Sequence, residues 1–416
     1  MSVLIDVVRR NRAGHPAGMF SVCSANPWVL RAAADFELVC IESTSNQVNQ
    51  FGGYTGQTPA GFAAMVRAIK PHGLILGGDH LGPYPWRGEP AADAMEKACE
   101  LVRQCVRAGY SKIHLDASMS CGGDPAGALD ERVIAARTAQ LCRAAEEARE
   151  GGAPPLYVVG TEVPAPGGEP AEGEPPAVTR PEDIARTLYE MEGAFRAAGL
   201  EDAWTRVIGL VVQPGVEFGD TVIFDYDRGR ARALAAGLPQ RPELVYEAHS
   251  TDYQTSRALG EMVQDHFAIL KVGPWLTFAF RECVFALSAI EREWLGGRRG
   301  VRLSRVRETL EAAMLANPAH WKPYYRGDDH ALALARMYSF SDRCRYYWPD
   351  PAVRAELDLL MANLSAAPMP LALVSQYLPE QYRRVRAGVI TNGPEEFVRD
   401  RIGAVLEIYS GVCRQV

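Results

Sequence analysis

Short apolar runs alternate with amphipathic segments eight times between residues 19 and 273, and that repetition limits the chain to very few folds. The runs are Met19–Asn26, Phe36–Thr44, Gly73–His80, Lys112–Ser118, Leu156–Glu162, Val207–Gly215, Glu243–Ser250 and Phe267–Gly273. Each is rich in Val, Ile and Leu without clean two-residue alternation, the pattern of parallel strands buried on both faces. Between them lie stretches such as Pro90–Gly109, whose apolar residues recur at intervals of three and four and which ends on a glycine. Such repeated strand–helix units predict a closed (β/α)8 barrel, a TIM barrel, with a doubly wound open sheet as the alternative. From about Trp275 the chain reads as helical, punctuated by Pro318, Pro349, Pro351, Pro368 and Pro370. The expected division is a barrel over residues 1–290 and a helical C-terminal extension over 291–416 packed on it.

Composition narrows the function classes. The 416 residues are 47% hydrophobic and 23% charged, with a net charge of -7. That suits a globular chain and argues against a nucleic-acid surface, which needs a basic stripe. No apolar run approaches the ~18 residues of a membrane span, and the first residues lack the apolar core of a signal peptide. Nine scattered cysteines with no CxxC pair read as reduced core thiols of a cytoplasmic protein.

In such a barrel the chemistry gathers at the C-terminal ends of the strands. The second run ends in Glu42 and Ser43, with Asn46 just beyond; the third ends in Asp79-His80 and the fourth in Asp116. Glu162, Gln213, His249-Ser250 and Lys271 end the remaining four. A single polar strand end is usually a helix cap or a satisfied loop residue. A ring of them is different, because carboxylates crowded at one mouth raise one another's pKa unless a cation sits among them. His80 and His249 are the leading metal-ligand candidates. Glu162 is a candidate third ligand, and Asp116 is either a ligand or a group that orients one. Asp79, beside His80, is suited to moving a proton on a substrate that a metal polarises; its alternative role is to anchor the GPYPW turn. His114, inside KIHLD, reads as a satisfied structural residue, and so do His15, His72, His266, His320 and His330.

Two further stretches bear on ligands. QFGGYTGQTPAGF (50–62) is a glycine loop suited to approaching an anion, but it matches no nucleotide fingerprint. The loops after the last two strands, where barrels often hold phosphate, offer Ser250, Thr251, Gly273, Thr277 and Arg281 as donors, with ordinary caps and loop bonds as the alternative. Pro164–Arg180, rich in Pro, Gly and Glu, reads either as a lid or as a disordered loop.

The ordered motifs IESTSNQVNQFGGYTGQTP, GGDHLGPYPW, IHLDAS, GTEVPAPGGE, EAHSTDYQ, LKVGPWLTFAFRE, SDRCRYYWP and LVSQYLPEQY span nearly the whole chain. Together they resemble the GatZ/KbaZ-type family, accessory subunits of class II D-tagatose-1,6-bisphosphate aldolase. PYPWR and TGQTP depart from the usual PNPWQ and TGMTP at Tyr84 and Gln57. The resemblance implies a barrel related to the class II aldolases, with Asp79 as acid/base and His80 and His249 as ligands of a divalent metal ion (Zn, Mn or Co). Where those aldolases place another histidine after strand six this chain has Gln213, so Glu162 is the preferred third ligand. Asp116 and Glu162 join Asp79 as expected catalytic residues. Substrate contacts are expected from Glu42, Ser43, Asn46, Gln213, Ser250, Lys271, Gly273 and Arg281. The implied activity is metal-dependent conversion of a ketose or ketose phosphate of the tagatose/fructose series, with C4 epimerisation by retro-aldol and aldol steps favoured. The alternative is a non-catalytic subunit supporting a separate aldolase chain. A kinase is excluded because phosphoryl transfer needs a nucleotide cradle. Expected partners are a small sugar or sugar phosphate, the aldolase catalytic subunit and further copies of this chain.

Overall fold

The computed structural model describes residues 3–160, 173–238 and 241–413. All eight apolar runs form strands: β1 (Met19–Cys23), β2 (Val39–Thr44), β3 (Leu74–Leu81), β4 (Lys112–Leu115), β5 (Leu156–Val159), β6 (Val207–Val212), β9 (Val245–Ala248) and β10 (Phe267–Val272). They pair in parallel and close into a barrel in chain order, β10 returning to β1. A short antiparallel hairpin not expected from the sequence, β7 (Glu217–Phe218) and β8 (Ile223–Phe224), interrupts the connection from β6 to β9.

The outer ring of helices is completed in an unexpected way. The helix after β10, Pro274–Leu295, packs on the last helix of the chain, Pro394–Cys413. That last helix reaches β1 and lies between the helices Pro27–Ala33 and Ser256–Gln264. Gly18 N–H donates to Cys413 O at 2.9 Å, and the Tyr409 hydroxyl donates to Thr251 O at 2.7 Å. The end of the extension therefore fills a position in the barrel wall, and barrel and extension share one hydrophobic core.

Inside the barrel, side chains alternate along each strand. At the N-terminal end they are apolar. Leu4, Val7 and Val8 of the first helix, Val3–Arg12, pack with Met19, Cys40, Leu156, Val245 and Ile269 and plug the bottom. Two residues further along β1, β2, β9 and β10 the interior turns polar, at Ser21, Glu42, Glu247 and Lys271, and Lys112 of β4 joins them. Gly77 of β3 makes room for this layer, since a Cβ there would lie 2.7 Å from Glu42 Oε1 and 2.9 Å from Glu42 Cγ. Glu42 cannot yield, because two lysines hold it. Gly77→Ala is expected to cost about 1–3 kcal/mol by overpacking, read as a lower midpoint in urea unfolding at unchanged m.

Candidate metal and active site

Alternation determines which side chains reach the mouth. Lys112, His114 and Asp116 share a parity on β4 and its exit, as do Glu247 and His249 on β9. Asp79 points inward with Gly77, so His80 should point outward. Its backbone instead takes φ +47°, in the left-handed region that non-glycine residues seldom occupy. That turn brings the His80 imidazole to the mouth beside Asp79. Ser250, after His249, does the same at φ +54°.

The polar interior has two layers. In the lower one, Lys112 Nζ lies 2.6 Å from both Glu42 Oε1 and Glu247 Oε2. Lys271 pairs with Glu42 and reaches Asp79 Oδ1 at 3.0 Å. Two lysines and two glutamates, all buried, cancel in charge and lock one another in place.

The upper layer holds Asp79, His80, His114 and His249, whose donor atoms all lie within 4.8 Å of one another. Each imidazole gives one nitrogen to a carboxylate. His80 Nδ1 is 2.8 Å from Asp116 Oδ2, His114 Nδ1 is 2.9 Å from Asp79 Oδ1, and His249 Nε2 is 3.0 Å from Glu247 Oε1. The His80 backbone N–H donates to the same His114 Nδ1 at 3.2 Å, so that nitrogen stands between an amide donor and the Asp79 carboxylate. The other nitrogens of His80 and His249 face each other. His80 Nε2 and His249 Nδ1 are 3.2 Å apart, and His114 Nε2 is buried with no hydrogen-bond partner among the described residues. Lone pairs brought this close repel unless a proton or a cation sits between them. Three imidazoles, each oriented by an acid behind it, are the donor set of a divalent transition-metal site. The residues fit such an ion.

The acids around the imidazoles favour positive charge at this point. Burial pushes the Asp79 carboxyl up, but His80, His114 and His249 together hold it well below the usual carboxylate range. Burial pushes His80 down, yet Asp79 and Asp116 bring it up to about 9. Burial likewise raises Glu247, and Lys112 and His249 pull it down to about 2. Desolvation lowers both His249 and Lys271.

Above the cluster opens a cavity of about 470 Å³. Of the residues expected from the sequence, Asn46, Asp79, His80, His249, Ser250, Lys271 and Gly273 line it. Glu42 and Asp116 lie buried beneath the lining, holding the lysines and His80. Besides Glu42, three residues expected to touch substrate do not line the cavity. Ser43 has the opposite parity to Glu42 and bonds Tyr110 Oη on the helix side at 2.8 Å. Gln213 anchors its own turn through Gly215 N–H at 2.8 Å. Arg281 is buried against Asp342 at 2.8 Å, under the C-terminal segment. Glu162 and residues 164–172 of the expected lid lie outside the described residues.

Sequence reasoning passed over His114 and Glu247. The signal was present, since His114 is two residues from both Lys112 and Asp116, and Glu247 two from His249. It also passed over Tyr54, Arg345 and Tyr346, which line the cavity. The two from the C-terminal segment have no local signal of that role. The Tyr54 and Tyr346 rings meet edge-on at 4.7 Å.

Comparison with known proteins finds relatives over nearly the whole length of the chain. Residues 4–414 match the family model described as D-tagatose-1,6-bisphosphate aldolase subunit GatZ/KbaZ-like. The D-tagatose-1,6-bisphosphate aldolase subunits GatZ of Salmonella heidelberg and Salmonella typhimurium are each 49% identical over 421 aligned positions, covering 98% of this chain and 98% of theirs. A crystal structure from Sinorhizobium meliloti, titled a probable tagatose 6 phosphate kinase, is 43% identical with a TM-score of 0.86, covering 95% of this chain and 100% of that one.

Proposed function

The chain belongs to the D-tagatose-1,6-bisphosphate aldolase subunit GatZ/KbaZ-like family, and we propose that it is itself a metal-dependent enzyme acting on a ketose or ketose phosphate of the tagatose/fructose series. The favoured reaction is C4 epimerisation. One observation carries the reading: three carboxylate-backed imidazoles converge with Asp79, His114 Nε2 being buried and unpartnered among the described residues, and Asp79, His80 and His249 line a cavity of sugar size.

His80, His114 and His249 would hold the ion; Glu162, expected from the sequence as third ligand beside His80 and His249, lies outside the described residues. A bound divalent ion supplies Lewis-acid polarisation of a ketose carbonyl. The chain's own residues do the rest. Asp79, kept ionised by the imidazoles around it, accepts the proton of the C4 hydroxyl. Loss of that proton breaks the C3–C4 bond and leaves an enediolate and an aldehyde in the cavity. If the aldehyde presents its other face before recombining, Asp79 returns the proton to the new hydroxyl and the product is the C4 epimer. If the aldehyde leaves, the outcome is cleavage. Lys271, 3.0 Å from Asp79 Oδ1, positions that carboxylate, and Glu42 beneath it holds Lys271.

A second reading has a specific observation behind it, namely that the 49% identical relatives are named aldolase subunits. In that reading the chain supports a separate catalytic chain. Incubating the purified protein alone with fructose 6-phosphate or tagatose 6-phosphate separates the two. Interconversion with added Mn²⁺, Co²⁺ or Zn²⁺, lost in EDTA, is the expected result. No interconversion under any metal, together with co-purification of an aldolase chain, establishes the subunit role instead.

A further inference from the structure

The cradle expected to bind phosphate, in the loops after β9 and β10, is filled by the protein's own carboxylates. Asp252 Oδ1 accepts from Gly273 N–H at 2.9 Å and from Trp275 N–H at 2.8 Å, the opening amides of the helix Pro274–Leu295. Asp342 accepts from the Thr277 hydroxyl at 2.7 Å and from Arg281 Nε at 2.8 Å. A phosphate entering here meets two carboxylates and no free donor among Gly273, Thr277 and Arg281.

A different part of the lining has the opposite character. Arg31, Arg345 and Arg354 all line the cavity, and none of them forms an ion pair among the described residues. Arg345 Nη1 donates to Ser341 O at 2.5 Å and to Asp342 O at 3.1 Å, and its Nη2 donates to Tyr346 Oη at 3.0 Å; all three acceptors are neutral, and the Asp342 carboxylate, bonded to Thr277 and Arg281, acts on Arg345 only through space. Arg31 stands over the Trp28 ring at 5.3 Å. Trp28 stacks on Phe280, and Phe280 packs edge-on against Trp348, so one aromatic block brings Arg31 to the C-terminal segment that carries the other two. Asp358 is the one carboxylate that this segment adds to the lining.

We propose that Arg345, supported by Arg31 and Arg354, binds the anionic group of the substrate, while the cradle filled by Asp252 and Asp342 faces an uncharged end. The ligand class is then a sugar carrying one phosphate, and bisphosphates are disfavoured. This rests on the sugar-phosphate reading above and adds to it which residues set the charge specificity. Arg is suited to the task because its planar fork stays charged and matches phosphate oxygens two at a time.

Isothermal titration calorimetry on the full-length protein tests it with fructose 6-phosphate, fructose and fructose 1,6-bisphosphate. Arg345→Gln is expected to weaken fructose 6-phosphate binding by about tenfold or more, the loss of a charge-assisted pair, and to leave fructose unchanged. The bisphosphate should bind wild type no more tightly than the monophosphate. Arg345 also bonds backbone carbonyls, so the double variant Arg31→Gln/Arg354→Gln, at exposed positions, provides a second test if Arg345→Gln melts early; it should show a several-fold loss for the phosphate only. Equal weakening for both sugars, no weakening, no binding of fructose 6-phosphate by wild type, or a tenfold gain for the bisphosphate would each overturn the proposal. The readout is binding, so absence of turnover counts against the epimerase reading alone. Turnover with binding indifferent to Arg345 counts against this proposal alone.

Discussion

His114→Ala is expected to empty the proposed metal site and abolish turnover. Nε2 of this side chain is buried without a partner among the described residues, and Nδ1 lies 2.9 Å from Asp79 Oδ1, so the ring is held in one orientation with Nε2 available to an ion. Removing it leaves His80 and His249 as a pair, too few donors for tight binding. The loss of metal affinity should exceed the roughly 10–100-fold that follows loss of a group behind a ligand. Elemental analysis after dialysis, with interconversion of the two hexulose 6-phosphates as activity readout, checks it. His320→Ala serves as control: that ring stacks on Tyr346 at 4.6 Å, away from the cluster, and the variant should keep its metal. Stoichiometric metal in His114→Ala would remove His114 from the ligand set and return attention to Glu162.

Asp79→Asn is expected to lower turnover by about 10²–10⁴-fold, the usual contribution of a positioned acid/base, with metal content retained. The amide keeps the size of the carboxylate, so the packing around Lys271 and His114 survives while the proton acceptor is lost. The melting temperature guards against a trivial loss through unfolding. Unchanged turnover excludes Asp79 from proton transfer. Lost metal makes Asp79 a ligand instead, a result its place among the four converging donors gives physical meaning.

Much of this site was legible in the chain because β-strands convert spacing into direction. Apolar runs ending in Asp79-His80, His249 and Lys271 marked the mouth, and those residues do line the cavity. The same rule read with parity would have turned Ser43 toward the helices and brought His114 and Glu247 inward. Arg281 misled for another reason. A basic residue in the first turns of the helix after β10 matches a phosphate donor in sequence, but Asp342, sixty-one positions on, claims it.

What the sequence by itself determined is the barrel and the polarity of its mouth, since strand number, helix period and strand-end residues are local properties that tertiary contacts amplify. Only the tertiary structure decided which polar groups meet. The left-handed turn at His80 reverses the expected direction of a side chain, and a local pattern does not record it. Closure of the barrel sets His114 opposite His80 and His249, a juxtaposition of residues separated by up to 169 positions. The C-terminal segment then brings Arg345 and Tyr346 to the cavity and plugs the expected phosphate cradle with Asp342. These contacts depend on how distant elements pack, and spacing along the chain carries no information about them.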